Sequence, residues 1–299
     1  MTRWTTGIAT AALASLAAAA ESPGPTPTEQ TEAWQAKRNA TLSDPQGWLA
    51  LAGLFPLPDG EFSIGSADDS RIRFPDGTPH RLGEMTVAYA TLHFDAAPGT
   101  DVRLGEALVT SLDLLDDSAD DGPTRLHSGT LSWWVIERVG RRWLRLSDTA
   151  HPALVDPAPI EFFPIADQWR APARLITDDD APQLAVPTVL GSPILEKPAG
   201  MLTFELSGRS YQLQALDGGD GELFIIFADS TSGISTYGAG RFLWVEAVDE
   251  TGTTVVDFNH AYNPPCAFTS FATCPLPPPG NRLDMAVTAG EKSWSETGH

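Results

Sequence analysis

The fold class follows from the stretch 201–215, which reads MLTFELSGRSYQLQA. Apolar side chains stand at alternate positions on both sides of the dipeptide Ser207-Gly208: Leu202, Phe204, Leu206, Tyr211, Leu213 and Ala215. Successive side chains of a β-strand point to opposite faces of a sheet, so this period of two predicts two strands with one apolar face each. The Ser-Gly dipeptide between them predicts a tight turn, and the whole stretch a β-hairpin.

The same period recurs on both sides of this hairpin. Met85, Val87 and Tyr89 alternate in this way, and so do Leu144 and Leu146. Short strands bounded by Gly, Ser, Thr or Asp are predicted at 130–138, 141–147, 223–228, 241–247 and 253–258. Many short strands with turn signals between them favour a sandwich or barrel over a βαβ fold.

Proline dipeptides divide the chain into two units. His151-Pro152, Asp156-Pro157 and Ala158-Pro159 interrupt the strand pattern, and such dipeptides are typical of turns and loops. We therefore predict an N-terminal β-sandwich unit at 48–150 and a C-terminal β unit at 160–292 that carries a polar, proline-rich loop.

The first residues predict a secretion signal followed by a helix. Residues 1–20 combine one basic residue, an apolar run and three alanines at 18–20, which is typical of a cleavable signal peptide. An alanine-rich helix is the alternative. Residues 21–47 are interpreted as a proline-rich linker and one helix, predicted at 28–43 with Trp34 as its apolar anchor. The predicted architecture is all-β, with two sandwich-like or barrel-like units after one N-terminal helix.

The charge of the chain excludes some partners. The 19 Lys and Arg residues stand against 39 Asp and Glu, which gives a formal net charge of −20. Phosphate backbones repel such a chain, so we expect no nucleic-acid binding. After the signal, no apolar run reaches the roughly 20 residues of a membrane span. We expect an exported protein, periplasmic or secreted, without a membrane span after signal cleavage; protein partners are not indicated.

The two cysteines, Cys266 and Cys274, are expected to form a disulfide in an oxidising compartment. Their spacing is not the C-x-x-C of redox and zinc sites. A metal site would have to recruit His260, so we expect no metal and no cofactor.

Polar side chains gather near the C-terminus. The candidate ligand-binding residues are Tyr237, Arg241, Asp257, Asn259, Asn263 and Arg282. Arginine holds carboxylates and phosphates through paired hydrogen bonds, and amides and hydroxyls orient small ligands in a barrel mouth. We expect this set to bind a small polar or anionic ligand. In the alternative, structural interpretation, Asp257 pairs with the arginines and the asparagines bond the backbone of the proline-rich loop, with no ligand.

An enzymatic interpretation also stays open. Asp257 as general base with Tyr237 or Asp229 as acid, and Arg282 stabilising charge, would suit hydrolysis. Neither G-x-S-x-G nor H-E-x-x-H occurs, and spacing alone does not assemble a Ser-His-Asp triad.

One long segment carries a family resemblance. It includes TYGAGRFL at 236–243, DFNHAYNPPCAFT at 257–269, ATCPLPPP at 272–279 and Asn281-Arg282-Leu283. These residues resemble the domain-of-unknown-function family numbered 1684, found in bacteria and archaea. The likeness continues more weakly at 47–51, 168–170 and 186–191. It implies no established activity.

A second resemblance covers the first unit. DGEFSIGS at 59–66, PHRLG at 79–83 and WWVI at 133–136 are similar to a forkhead-associated β-sandwich. Such domains hold phosphothreonine with an arginine directly after the first strand, where this chain has the acidic surroundings of Ser66 and Asp68. The resemblance therefore implies a fold and no phosphopeptide site.

Overall fold

A computed structural model describes residues 24–88, 91–178 and 180–295. The signal peptide predicted at 1–20 and Tyr89 lie outside these residues. Within them the regular secondary structure is mostly strand, with one α-helix near the N-terminus, which confirms the predicted all-β class. No helix in these ranges has the length and apolar character needed to cross a bilayer.

The first unit is a sandwich of two sheets. In the described chain its strands are β1 (Leu51–Pro56), β2 (Gly60–Gly65), β3 (Ile72–Arg73), β4 (Gly83–Ala88), β5 (Thr91–Ala96), β6 (Arg103–Leu104), β7 (Ala107–Leu108), β8 (Ser111–Asp113), β9 (Leu126–Ser128), β10 (Leu131–Arg138) and β11 (Arg141–Asp148). One sheet has the order β1-β11-β10-β9-β6-β7 and the other β3-β2-β4-β5-β8. The pairing of β2 with β3 is parallel.

Alternating side chains of both sheets form one core. Met85 and Phe94 from one sheet meet Trp133, Leu144 and Leu146 from the other, and all are buried. The predicted hairpin at 130–147 is confirmed as β10 and β11. These alternating residues leave the other face of β10 and β11 free to contact the second unit.

The second unit is built on a six-stranded antiparallel sheet, and the described chain includes a half-barrel. Its strands are β12 (Arg170–Ile176), β13 (Leu184–Val186), β14 (Ile194–Glu196), β15 (Pro198–Leu206), β16 (Arg209–Gly219), β17 (Glu222–Phe227), β18 (Arg241–Val245) and β19 (Thr253–Asp257). The main sheet has the order β18-β17-β16-β15-β12-β19, and β13 pairs with β14 separately. Short 3₁₀ turns occur at Thr41–Ser43, Trp48–Ala50, Pro152–Leu154, Asp167–Trp169, Phe258–His260 and Pro265–Ala267.

The hairpin predicted from residues 201–215 is β15 and β16. Ser207 and Gly208 both have positive φ, at 51° and 73°, which is the backbone of a type I′ turn and matches the twist of the flanking strands. Leu202 pairs with Leu213 and Phe204 with Tyr211, so the apolar positions face the core as the period of two predicts.

The one helix, α1 (Pro27–Ala40), lies close to its predicted range of 28–43. A capping box begins it: Glu29 N donates to Thr26 Oγ1 at 3.3 Å, and Thr26 N donates to Glu29 Oε2 at 2.7 Å. The helix docks on the second unit, although the first unit follows it in sequence. Trp34 is the predicted anchor, and its ring packs against Phe162 and His260 at centroid distances of 5.9 and 4.9 Å.

Candidate functional site

Arg241, a predicted ligand-binding residue, lies in the core of the second unit and is 1% exposed. Its Nη2 donates to Oδ2 of Asp229 at 2.9 Å and to the Val287 carbonyl at 3.0 Å. Its Nη1 donates to the carbonyls of Ala289 and Glu291. The guanidinium therefore fastens the C-terminal segment to β18, with its donors directed at the protein.

Asp229, a candidate catalytic acid, is fully buried and serves as the counterion of Arg241. Its Oδ1 also accepts from the backbone N–H and the hydroxyl of Thr231, at 2.7 and 2.6 Å. Burial lowers the pKa of Arg241, and the neighbouring Asp229 carboxylate opposes that shift. The two side chains form a buried ion pair, and both carboxylate oxygens of Asp229 accept hydrogen bonds.

A second buried acid, Glu291, joins the N-terminal helix to this network. Arg38 Nε donates to its Oε1 at 2.6 Å, and the Asn263 backbone N–H donates to its Oε2 at 2.7 Å. The Asn263 side chain donates to the Lys292 carbonyl at 2.7 Å. Burial raises the pKa of Glu291, while the hydrogen bond from Arg38 lowers it. Asn263 thus has a structural role in the described chain, since it bonds the C-terminal segment at Glu291 and Lys292.

Asp257 and Asn259 form another closed group at the end of β19. Arg170 Nε donates to Oδ2 of Asp257 at 2.8 Å, and Asn259 Nδ2 donates to its Oδ1 at 2.8 Å. Asn259 also exchanges two hydrogen bonds of 3.1 Å with the backbone of Ala166. Asp257 therefore pairs with Arg170 and not with Arg241 or Arg282, and Asn259 bonds the backbone of Ala166 and not that of the proline-rich loop.

Tyr237 and Arg282 complete the predicted set. The Tyr237 hydroxyl donates to the Cys266 carbonyl at 3.0 Å, and burial raises the pKa of this tyrosine. Arg282 is exposed, and its side chain has no hydrogen bond or ion pair within the described residues. Five clefts of about 330–590 Å³ in the described chain are lined by other residues. The structure does not bring the six predicted residues to one open cleft among these, and their ligand-binding role stays a prediction.

The predicted disulfide between Cys266 and Cys274 is confirmed. The loop it closes rests on the first unit: Phe271 packs against Leu51, Trp134 and Ile136, on the face of β10 and β11 that points away from the sandwich core. The described residues contain no group of three or more His, Cys, Asp or Glu arranged to hold a metal ion.

Where this loop meets the sheet, four polar or aromatic side chains lie beside one another. Trp134 on β10 is directly opposite Arg145 on β11. The guanidinium of Arg125, just before β9, lies 3.8 Å from the centroid of the Trp134 ring, a cation–π contact. Thr273, from the disulfide loop, accepts from Nη2 of Arg145 at 3.4 Å. We call these four residues the junction site.

Arg145 is an uncompensated buried cation. It is 8% exposed, and its Nε has no hydrogen-bond partner in the described chain. Burial lowers its pKa to about 10, and repulsion from Arg138 and Arg125 adds to this while Asp117 opposes it. Asp117 itself pairs with Arg138 at 2.7 Å. No carboxylate of the described chain lies within ion-pair distance of Arg145.

Sequence reasoning missed Arg145, Arg38 and Glu291. One signal for Arg145 was available, since five of the 19 basic residues of this acidic chain lie within 125–145. Glu291 gave no signal, because a single acidic residue near the C-terminus normally lies on the surface.

Comparison with known proteins agrees with the resemblance found in the sequence. A family model described as "Protein of unknown function (DUF1684)" matches residues 158–292. An uncharacterized protein of Haloarcula marismortui, solved by solution NMR, is 30% identical over 45% of this chain and 76% of that one, with a TM-score of 0.39. Through residues 158–292, the chain belongs to the DUF1684 family.

The DUF1684 match covers the second unit, including the buried groups around Asp229 and Asp257. For part of the N-terminal region, a chain from a structural and functional analysis of phosphothreonine-dependent FHA domain interactions is a weak neighbour. It is 18% identical, over 31% of this chain and 92% of that one, with a TM-score of 0.21. No curated protein matches the sequence.

Proposed function

We propose that this protein is an exported β protein that binds a small anionic ligand at the junction site, through Arg145 and Arg125 beside Trp134. The observation that carries the proposal is the buried guanidinium of Arg145, which has no carboxylate partner within the described residues.

A buried charge without a partner lowers the stability of a folded protein by several kcal/mol relative to a compensated one. The chain has 39 carboxylates, and Asp117 stands close enough to act on the pKa of Arg145, yet it pairs with Arg138. A carboxylate or phosphate oxygen bound at Arg145 would supply the missing countercharge through charge-assisted hydrogen bonds.

The surroundings favour a small ligand. Arg145 keeps 8% of its surface exposed, so a ligand reaches it only at its edge. Arg125 is exposed and lies over Trp134, where it can turn toward an anion next to Arg145. The Thr273 hydroxyl offers one further hydrogen bond from the other unit.

The test is binding of inorganic phosphate and of citrate, measured by isothermal titration and by the urea midpoint. At a ligand concentration about 100 times Kd, binding adds about 2.7 kcal/mol to the free energy of unfolding. We expect Arg145→Met to abolish this gain and Arg125→Met to weaken it. Arg282→Met is the matched control, because this arginine is exposed and unpaired in the described chain. No gain beyond that of chloride at equal ionic strength, or the same gain in Arg145→Met, would refute the proposal.

For the second unit itself, the contacts favour a structural role. Asp229 and Arg241 form a buried ion pair, and Asp257 is held by Arg170 and Asn259. Hydrolysis by Asp257 with Tyr237 or Asp229 would require breaking these bonds first, so we rank it below the structural role.

Export is supported by two features. The Cys266–Cys274 bond fits an oxidising compartment, and residues 1–20 have the composition of a signal peptide. Sequencing the N-terminus of the protein recovered from a periplasmic fraction tests this directly: a chain that still begins at Met1 would contradict it.

A further inference from the structure

Three side chains on β5 and β8 form a line of contacts that runs from Ser111 through His93 to Asp113. Ser111 Oγ lies 2.9 Å from Nε2 of His93, and Nδ1 of the same ring lies 2.6 Å from Oδ1 of Asp113. This is the order of contacts in which a serine becomes a nucleophile, with the imidazole as its base and the carboxylate as the group that orients the base.

The local sheet geometry produces these short distances. His93 lies opposite Asp113 and Asp95 opposite Ser111. Backbone hydrogen bonds are formed by the adjacent pairs, from Ala96 N to the Thr110 carbonyl at 2.9 Å and from Leu114 N to the Leu92 carbonyl at 2.7 Å. The pairs His93–Asp113 and Asp95–Ser111 are therefore of the non-hydrogen-bonded kind, in which side chains approach most closely, with Cα atoms about 4.5 Å apart.

The contacts also decide which ring nitrogen accepts a proton. A carboxylate can only accept, so Nδ1 of His93 carries the hydrogen that it donates to Asp113. In the neutral ring Nε2 then has a free lone pair, and the atom beside it is Ser111 Oγ. Asp95 Oδ1, 3.3 Å from Nε2, stabilises the ring once it has taken up a proton.

The cluster is open to substrate. The His93 side chain is 28% exposed, and Ser111 is exposed. Asp95 also lines a cleft of about 530 Å³ together with Arg81 and Glu84. Because β8 is the last strand of its sheet and Ser111 belongs to a non-hydrogen-bonded pair, the Ser111 N–H points to the open side. It can donate to an oxyanion that forms next to Oγ.

From this geometry we propose that Ser111 and His93 are catalytic residues, with Asp113 as the positioning residue, that cleave small uncharged or cationic carboxylic esters. Ser111 Oγ forms a bond to the acyl carbon while His93 takes its proton and passes it to the departing alkoxide, so the ester C–O bond breaks and an alcohol leaves. Water, deprotonated by His93, then attacks the acyl carbon, the bond between that carbon and Ser111 Oγ breaks, and His93 returns the proton to Oγ. The carboxylic acid is released.

The charges around the site set the substrate class. Asp95 and Asp113 face His93 from the two strands, and Glu84 on β4 lies opposite Asp95. Three carboxylates repel an anionic ester, so an uncharged or cationic one is favoured. This site lies in the first unit, and its activity does not depend on anion binding at the junction site.

The test uses the full chain and a serine-directed fluorophosphonate. Ser111 Oγ forms a bond to the phosphorus of the probe, and the P–F bond breaks. His93 transfers the serine proton to the departing fluoride. We expect peptide mass mapping to locate the label on Ser111, and Ser111→Ala to lose it. His93→Gln should slow labelling at least ~100-fold, since a general base typically contributes that much or more. Hydrolysis of p-nitrophenyl acetate should fall in parallel.

The pH profile separates positioning by Asp113 from a structural effect. The hydrogen bond to Asp113 raises the pKa of His93 above 6.5, so labelling should rise with pH through a midpoint above 6.5. Asp113→Asn should move that midpoint down and lower the plateau. Ser210→Ala is the matched control, since Ser210 is also an exposed serine on a strand, and it should change nothing. An unlabelled wild-type protein, or labelling that His93→Gln leaves as fast, overturns the proposal.

Discussion

Replacing Arg241 with methionine tests whether the polar residues of the second unit hold the fold. The side chain donates to Asp229 and to three backbone carbonyls, at Val287, Ala289 and Glu291. Methionine keeps much of the volume and removes every one of these donors. It leaves the Asp229 carboxylate buried without a cation. Removing one partner of a buried ion pair typically lowers the free energy of unfolding by about 3–5 kcal/mol.

That loss is a large part of the total, because folded domains have free energies of unfolding of about 5–15 kcal/mol. Urea unfolding followed by tryptophan fluorescence measures it, and the nine tryptophans give a strong signal. With an m-value of about 3 kcal/mol/M, the midpoint should fall by roughly 1–2 M. Proteolysis should release the segment from Val287 onward first, since Arg241 fastens it.

Two variants make the result decisive. Arg282→Met, at an exposed arginine of the same predicted set, should change stability by no more than about 0.5 kcal/mol. In the double variant Asp229→Asn/Arg241→Met no charge is left buried alone, so its loss should be smaller than the sum of the two single losses. A loss below about 1 kcal/mol for Arg241→Met would show that the pair does not stabilise the fold, and a ligand-binding role for Arg241 would gain support.

Two further predictions concern the disulfide and the histidine beside α1. Opening the loop between Cys266 and Cys274, by reductant or by alanine at both positions, should lower the free energy of unfolding by about 2–3 kcal/mol on the chain-entropy estimate for a loop this short; an unchanged urea midpoint would argue against it. Burial lowers the pKa of His260 below its ordinary 6.5, so the unfolded chain binds a proton first and stability should fall as pH drops below about 6.5. His260→Gln should flatten that slope between pH 7.5 and 5.5, and an identical slope in both proteins would contradict the assignment.

Much of the fold was predictable because its signals are local. The alternation around Ser207-Gly208 and the break at Gly140 predict the two central hairpins and their turns. The bounds of β10 and β11 agree to within one residue, whereas β15 and β16 extend three and four residues beyond the stretch 201–215. The docking of α1 was not predictable in this way. Its buried face is set by contacts of Trp34 and Arg38 with residues more than 100 positions away, and no local period carries that information.

The candidate sites show a similar limit. The sequence singled out the polar residues 237–282, and the structure shows most of them bonded within the chain, since residue type does not tell whether an arginine faces solvent or a buried carboxylate. At Ser111, His93 and Asp113 the error was the opposite, because the sequence did not indicate a site that the structure brings together. Strand register places these three together, and a shift by one residue would point the side chains of one strand to the other face.

The ion pair between Arg38 and Glu291 joins residues 253 positions apart. The second unit is therefore assembled from segments that lie before and after the first sandwich in the sequence. A chain made from its N-terminus onward can complete the sandwich early, but the surface on which α1 docks is complete only once Glu291 has been added. Folding should finish slowly, through this long-range closure.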